Sequence, residues 1–122
     1  MFRTLAFALP LALAPLPAAA QDFSLTTDEA DNLRCAVVFA LTAGFNQAGL
    51  EGFEQYGDID ARGEEYFVET MVSISEAHDI EGPALMPLVE EQVGELMEDP
   101  DTVAAMIPEC LYLLEDFEAR GI

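Results

Sequence analysis

Leu33-Arg34-Cys35-Ala36-Val37-Val38-Phe39-Ala40-Leu41 is apolar apart from Arg34, and its counterpart Pro108-Glu109-Cys110-Leu111-Tyr112-Leu113-Leu114 lies seventy-five positions further on. These two segments hold the only cysteines of the chain. Upstream of the first segment, Thr26-Thr27-Asp28-Glu29 has the form of a capping box, with Thr26 three residues before Glu29. Asp28, Glu29 and Asp31 place negative charge in a first helical turn, where the helix dipole favours it. Leu33, Val37, Ala40, Leu41 and Phe45 then recur at helical spacing, and Cys35, Val38 and Phe39 widen the apolar face. A face that wide belongs to a central, largely buried helix. Gly44, Asn46 and Gly49 are expected to end it in stages.

The next elements follow from the same pattern. Gly49 to Gly57 reads as a turn-rich connector with one short helical turn, from which Phe53 and Tyr56 fold back on the core. A second helix is expected from Ala61 or Glu64 to His78, with Tyr66, Phe67, Thr70, Met71, Ile74 and Ala77 inward. Asp79-Ile80-Glu81-Gly82-Pro83 breaks the chain, and regular helix resumes near Pro87. Leu85, Leu88, Val89, Val93, Leu96 and Met97 form a third stripe. Asp99 as N-cap and Pro100 at the first helical position open a fourth helix, through Val103, Met106, Ile107, Cys110, Leu111, Leu114 and Phe117. Pro108 should kink that helix. No two-residue alternation predicts a strand. The fold class is all-α: a compact four-helix bundle or orthogonal array, in which a Cys35–Cys110 disulfide would staple first helix to last.

Met1 to Ala20 stands apart. Arg3 supplies a short positive region, Leu5 to Leu16 an Ala/Leu-rich run, and Ala18-Ala19-Ala20 a small-residue cleavage site. Pro10, Pro15 and Pro17 interrupt the run, which falls short of the ~20 apolar residues that span a bilayer. Residues 1–20 therefore read as a cleaved signal peptide and residues 21–122 as one helical domain of about 102 residues, periplasmic or secreted. Two cysteines in an exported chain fit one structural disulfide.

Beyond residue 20 the chain has three arginines, no lysine and all 24 acidic residues, a formal charge of about −21. That balance speaks against nucleic acid and anionic membrane, which need a basic footprint, and permits cationic proteins, cationic peptides or divalent cations. The apolar fraction, 52 % over the whole chain, stays near half beyond the leader and falls in periodic runs, which argues for a folded domain over disorder.

The sharpest candidate for chemistry is Asp58-Ile59-Asp60-Ala61-Arg62-Gly63-Glu64-Glu65-Tyr66-Phe67-Val68-Glu69. Against the EF-hand pattern, Asp58, Asp60, Gly63 and Glu69 fall at the first, third, sixth and twelfth loop positions. Arg62 puts a cation where the fifth ligand belongs, and Glu65 replaces the usual apolar residue. A turn feeding an acidic helix start is the plainer reading, with Asp58, Asp60 and Glu69 kept as candidate metal ligands. His78, followed by Asp79 and Glu81, is the only imidazole. Ser73 and Ser75 form no nucleophile pattern with it, so it reads as a helix-ending histidine. The acidic pairs Glu64/Glu65, Glu90/Glu91 and Glu115/Asp116 read as solvated faces. Met71, Met86, Met97, Met106, Tyr66 and Tyr112 read as core filling, with no cofactor implied.

At Leu33-Arg34-Cys35-Ala36, Arg62-Gly63-Glu64-Glu65-Tyr66-Phe67-Val68 and Pro108-Glu109-Cys110-Leu111 the chain resembles uncharacterised small exported two-cysteine helical proteins of Gram-negative bacteria. The resemblance implies location and fold. In design, the chain is also similar to periplasmic acid-stress chaperones of the HdeA kind, small helical proteins with one disulfide, but it lacks lysine and is far more negative. The leading expectation is a non-catalytic protein acting by protein–protein contact: an inhibitor or immunity-type partner of a cationic enzyme, or an envelope-stress factor. The alternatives are a pH-responsive periplasmic chaperone, whose carboxylates lose their charge in acid, and a divalent-cation-binding protein.

Overall fold

The computed structural model describes residues 24–120, and the expected leader lies outside the described residues. Four α-helices account for the fold: α1 Thr27–Gln47, α2 Ile59–His78, α3 Met86–Met97 and α4 Pro100–Ala119. Short 3-10 turns, Glu54–Tyr56 and Gly82–Leu85, precede α2 and α3. No strand occurs among the described residues.

The start of α1 is the capping box. Thr26 Oγ1 accepts from the Glu29 N–H at 3.1 Å, and Glu29 Oε1 accepts from the Thr26 N–H at 2.9 Å. Two of the first-turn N–H groups, which no helix can satisfy internally, are thereby paired. The end of α1 falls within the expected span. The helix passes through Gly44 and runs to Gln47, because the residues beyond the glycine supply packing and a proper cap. Phe45 packs on Phe53 with ring centroids 5.0 Å apart. Gly49, at φ +77°, donates to the Asn46 carbonyl at 3.1 Å, and Leu50 donates to the Phe45 carbonyl at 2.9 Å. That pair of bonds closes a helix around a left-handed residue, which glycine adopts without steric penalty. Phe53 is buried and Tyr56 half-buried, so the connector does fold back.

Within α1, Cys35, Ala36, Val37, Val38 and Phe39 are all buried in succession. Five consecutive residues point to every side of a helix, so α1 is enclosed all round. It packs against α2, α3 and α4, most extensively against α2. Thr42, also buried, keeps its hydroxyl satisfied by donating to the Val38 carbonyl at 2.7 Å. Ala40, expected inward, is exposed.

The second helix begins at Ile59, earlier than Ala61 or Glu64, and the reason is packing. Ile59 and Gly63 are both buried against α1. A Cβ on Gly63 would lie 2.8 Å from Phe39 Cβ and 3.3 Å from Phe39 Cγ. The glycine thus sets how closely α1 and α2 approach. Beyond it, Tyr66 stacks edge-on against Phe39 and Phe117, with centroids 5.5 Å and 5.3 Å away, and ties α2 to α1 and α4. Thr70 and Ile74 continue the inner face, Phe67 and Met71 are half-buried, and Ala77 is exposed. Asp79, at φ 53°, closes α2 in the left-handed conformation, with Ile80 donating to the Ser75 carbonyl at 3.0 Å.

The third helix opens beside Pro87 as expected, burying Val89 and Leu96. In α4, Asp99 caps the Asp101 N–H at 3.0 Å, and Val103, Ile107, Cys110, Leu114 and Phe117 face the core. The helix is continuous through Pro108, which is exposed. Part of the expected Met/aromatic core filling is corrected: Met86, Met97 and Tyr112 are 44 %, 50 % and 74 % exposed.

Cys35 and Cys110 form a disulfide across a 5.3 Å Cα–Cα separation, joining the first helix to the last. The bond closes 75 residues, worth about 4.5 kcal/mol in the chain-entropy description.

Two outcomes follow from this packing. Reduction of Cys35–Cys110 should lower unfolding stability by about 2–5 kcal/mol in urea titrations. An unchanged midpoint, with both thiols shown to be free by alkylation, contradicts the staple. Gly63→Ala should cost about 1–3 kcal/mol through overpacking against Phe39, despite the ~1 kcal/mol that alanine gains in helix propensity. A rise in stability would mean that α1 and α2 do not meet at this glycine.

Candidate functional site

Two grooves flank α2. The first, about 300 Å³, lies beside its C-terminal half, between the start of α1 and the end of α4. Tyr66, Thr70, Ile74 and Phe117 line it together with Glu29, Glu69, Glu76 and Arg120. The Tyr66 hydroxyl donates to Asn32 Oδ1 at 2.6 Å. Burial pushes the Tyr66 hydroxyl up to about 12, since the phenolate would lose its water. Tyr66 is therefore a fixed donor near neutral pH rather than a base.

At the end of this region, His78 Nε2 meets Glu29 Oε1 at 2.8 Å, and both side chains are largely buried. The orienting carboxylate is thus Glu29 from α1, not Asp79 or Glu81. Sequence reasoning missed this pairing, because forty-nine positions separate the two residues and only the α1–α2 crossing joins them. The hydrogen bond from His78 holds the Glu29 carboxyl below its ordinary range, aided by the capping bond from the Thr26 N–H. Ser75, the nearest hydroxyl in sequence, donates to the Ile80 carbonyl, and Ser73 lies on the groove wall.

The second groove, about 520 Å³, lies on the other side of α2, between its first turns and the second half of α1. Ala40, Ala43, Gln47, Asp60, Glu64 and Phe67 are among its lining residues. Two of the three candidate metal ligands, Asp58 and Asp60, bracket the start of α2, and the third does not join them. Helix replaces the expected calcium loop from Ile59 onward, and at 1.5 Å per residue Glu69 lies roughly 16 Å along the axis from Asp58. An EF-hand loop must wrap its ligands around one centre, which a straight helix cannot do. No cluster of three or more metal-ligating side chains occurs among the described residues. The helix agrees with the plainer reading, a turn feeding an acidic helix start, and not with a calcium loop. Gly63, read as the sixth loop position, serves the helix crossing.

Arg62 completes that reading. Its Nε and Nη2 donate to Glu118 Oε2 and Oε1, both at 2.8 Å, a two-point bridge from α2 to α4. Its Nη1 reaches Asp58 Oδ2 at 3.4 Å. The bond to Glu118 raises Arg62 above its ordinary value and lowers the Glu118 carboxyl. Arg34 bonds Gln92 at 3.2 Å and stands 3.9 Å from Glu95, tying α1 to α3. Arg120 bonds Asp116 at 2.9 Å. Each arginine among the described residues is paired with an acceptor of the same chain.

The outward face of α2 is different. Glu64, Glu65 and Glu76 are exposed and form no ion pair, and Val68 and Val72 stand between them, 50 % and 42 % exposed. No helix among the described residues is long and apolar enough to cross a membrane. No family model, curated protein or solved structure matches the chain. The geometry alone therefore carries the functional reading.

The Glu29–His78 pair has a testable pH signature. Because the folded-state value of Glu29 lies below its unfolded value, the stabilisation is fully present above pH ~4.5 and is lost as pH falls through the folded value. Glu29→Gln, which keeps the cap, should lower the melting temperature at pH 6, and its deficit from wild type should narrow as pH falls through the folded value. A deficit that stays constant down to pH 3 would contradict the pairing.

Proposed function

We propose that this is a non-catalytic, exported helical protein that works by binding a cationic protein or peptide, in the manner of an inhibitor, an immunity partner or an envelope-stress factor. The observation that carries this reading is the division of charge. The arginines of the described residues are all paired with acceptors of the same chain, whereas the carboxylates of the outward face of α2 have no internal partner. Exposed Val68 and Val72 add apolar area on the same face, so a partner with mixed basic and apolar side chains is complementary to it.

Export is supported by the Met1–Ala20 pattern and by the disulfide, which persists in oxidising compartments. The non-catalytic reading is supported by how the groups that could do chemistry are used. Tyr66 stays a phenol and Ser75 is committed to a backbone carbonyl. The calcium alternative is not carried forward, because its loop is a helix.

The test is binding to a basic, amphipathic peptide as a function of salt. Affinity should fall steeply between 50 and 300 mM salt, on the order of the screening length shrinking from ~14 to ~6 Å. Glu64→Gln/Glu65→Gln/Glu76→Gln should weaken binding more than Glu90→Gln/Glu91→Gln/Glu109→Gln, which removes equal charge from α3 and α4. Equal loss from both triples, or no binding at low salt, would refute the α2 assignment.

A further inference from the structure

Beside the groove at the start of α2, one carboxylate oxygen lacks a donor. Asp60 Oδ1 is inaccessible to water and has no hydrogen-bond partner, the one side-chain atom in that condition among the described residues. A buried acceptor without a donor is costly, and a carboxylate oxygen more so than a neutral one. The described arginines cannot serve it. Arg62 lies two residues on, yet its guanidinium is held by Glu118 and Asp58. Arg34 and Arg120 are engaged with α3 and with Asp116.

The surroundings narrow the ligand. Ala40 and Ala43 of α1 and Phe67 of α2 supply apolar wall, and Glu64 adds a second carboxylate to the lining. At this place α1 ends and α2 begins. The partial negative charge of one helix terminus therefore opposes the partial positive charge of the other, and the carboxylates decide the sign. No basic residue occupies the last turn of α1. A volume of about 520 Å³ lies within the ~300–1,000 Å³ range of ligand clefts. A cation on an aliphatic stem fits both halves of this lining: the stem lies along alanine and phenylalanine while the head meets the acids. A compact, hydrated metal ion would leave the apolar wall unused.

We propose that the groove formed by Ala40, Ala43, Asp60, Glu64 and Phe67 receives an arginine or lysine side chain of the partner polypeptide. This rests on the reading of a cationic partner and assigns that partner an anchoring side chain. On entry, the Asp60 carboxylate of the lining meets the incoming N–H groups. Glu64 meets the same cation from the rim.

The probe is N-acetyl-arginine amide, titrated into the isotope-labelled protein at low salt while backbone amide signals are followed. N-acetyl-leucine amide, calcium chloride and a basic amphipathic peptide form parallel arms. Saturable shifts should cluster at Ala40, Ala43, Asp60, Gly63 and Glu64 with the arginine probe and be absent with the leucine probe. Asp60→Asn should weaken that binding by about tenfold, as expected for loss of a charge-assisted bond. Glu64→Gln, at an exposed position that does not threaten folding, should weaken it by about threefold. Glu90→Gln should leave it unchanged. Shifts spread evenly over the acidic surface, equal weakening by Glu90→Gln, or groove shifts with calcium alone would overturn the proposal. If the peptide binds while the groove amides stay still, the groove assignment fails and the cationic-partner reading stands; if the peptide binds nowhere, that reading fails as well.

Discussion

The structure depends on the enclosure of the middle of one helix. Cys35 to Phe39 are buried on every side of α1, so α2, α3 and α4 are placed by the need to cover it. Such enclosure needs tight contacts, and the sequence meets that need at Gly63, where the absent side chain lets α2 close on Phe39. Opposing it is a chain with a formal charge of −20, whose carboxylates repel one another across a small surface. The Cys35–Cys110 bond acts where the two tendencies meet. It ties the enclosed helix to the last one and removes conformational freedom mainly from the unfolded chain.

Charge pairing in the folded chain is economical and directional. The Arg62–Glu118 bridge joins α2 to α4, the Arg34 contacts join α1 to α3, and Glu29–His78 joins the start of α1 to the end of α2. Partly exposed pairs of this kind contribute little to stability individually, yet they use up the cations that could otherwise neutralise the surface. The remaining carboxylates face outward. A protein with this arrangement repels its own copies and anionic surfaces, and attracts basic partners from a distance set by salt.

Much of the fold was legible in the sequence because its signals are local. The capping box at Thr26–Glu29, the Asp99-Pro100 start and the helical spacing of Val103, Ile107, Cys110, Leu114 and Phe117 each need only one turn or one face to be recognised. The disulfide followed from counting, since two cysteines in matching apolar segments have one pairing. What was misread depends on contacts between distant segments. Gly63 looks like a turn glycine beside Asp58 and Asp60 until Phe39 is known to lie against it. Gly44, Asn46 and Gly49 bracket the end of α1 without fixing it, and only the packing of Phe45 on Phe53 shows why the helix continues to Gln47. The candidate site was legible as an acidic surface without location. Neither the Glu29–His78 pair nor the unpartnered Asp60 oxygen leaves any trace in spacing.

If α1 is the enclosed element on which the other helices rest, its middle amides can open only when the whole domain unfolds. Native-state hydrogen exchange, followed residue by residue with the disulfide intact, measures this directly. The backbone N–H groups of Cys35 to Phe39 should be the slowest in the chain, with opening free energies equal to that of global unfolding. Faster exchange there than in Tyr66 to Ile74 of α2, or in Ile107 to Leu114 of α4, would show that α1 opens while the rest stays folded, and would contradict the account.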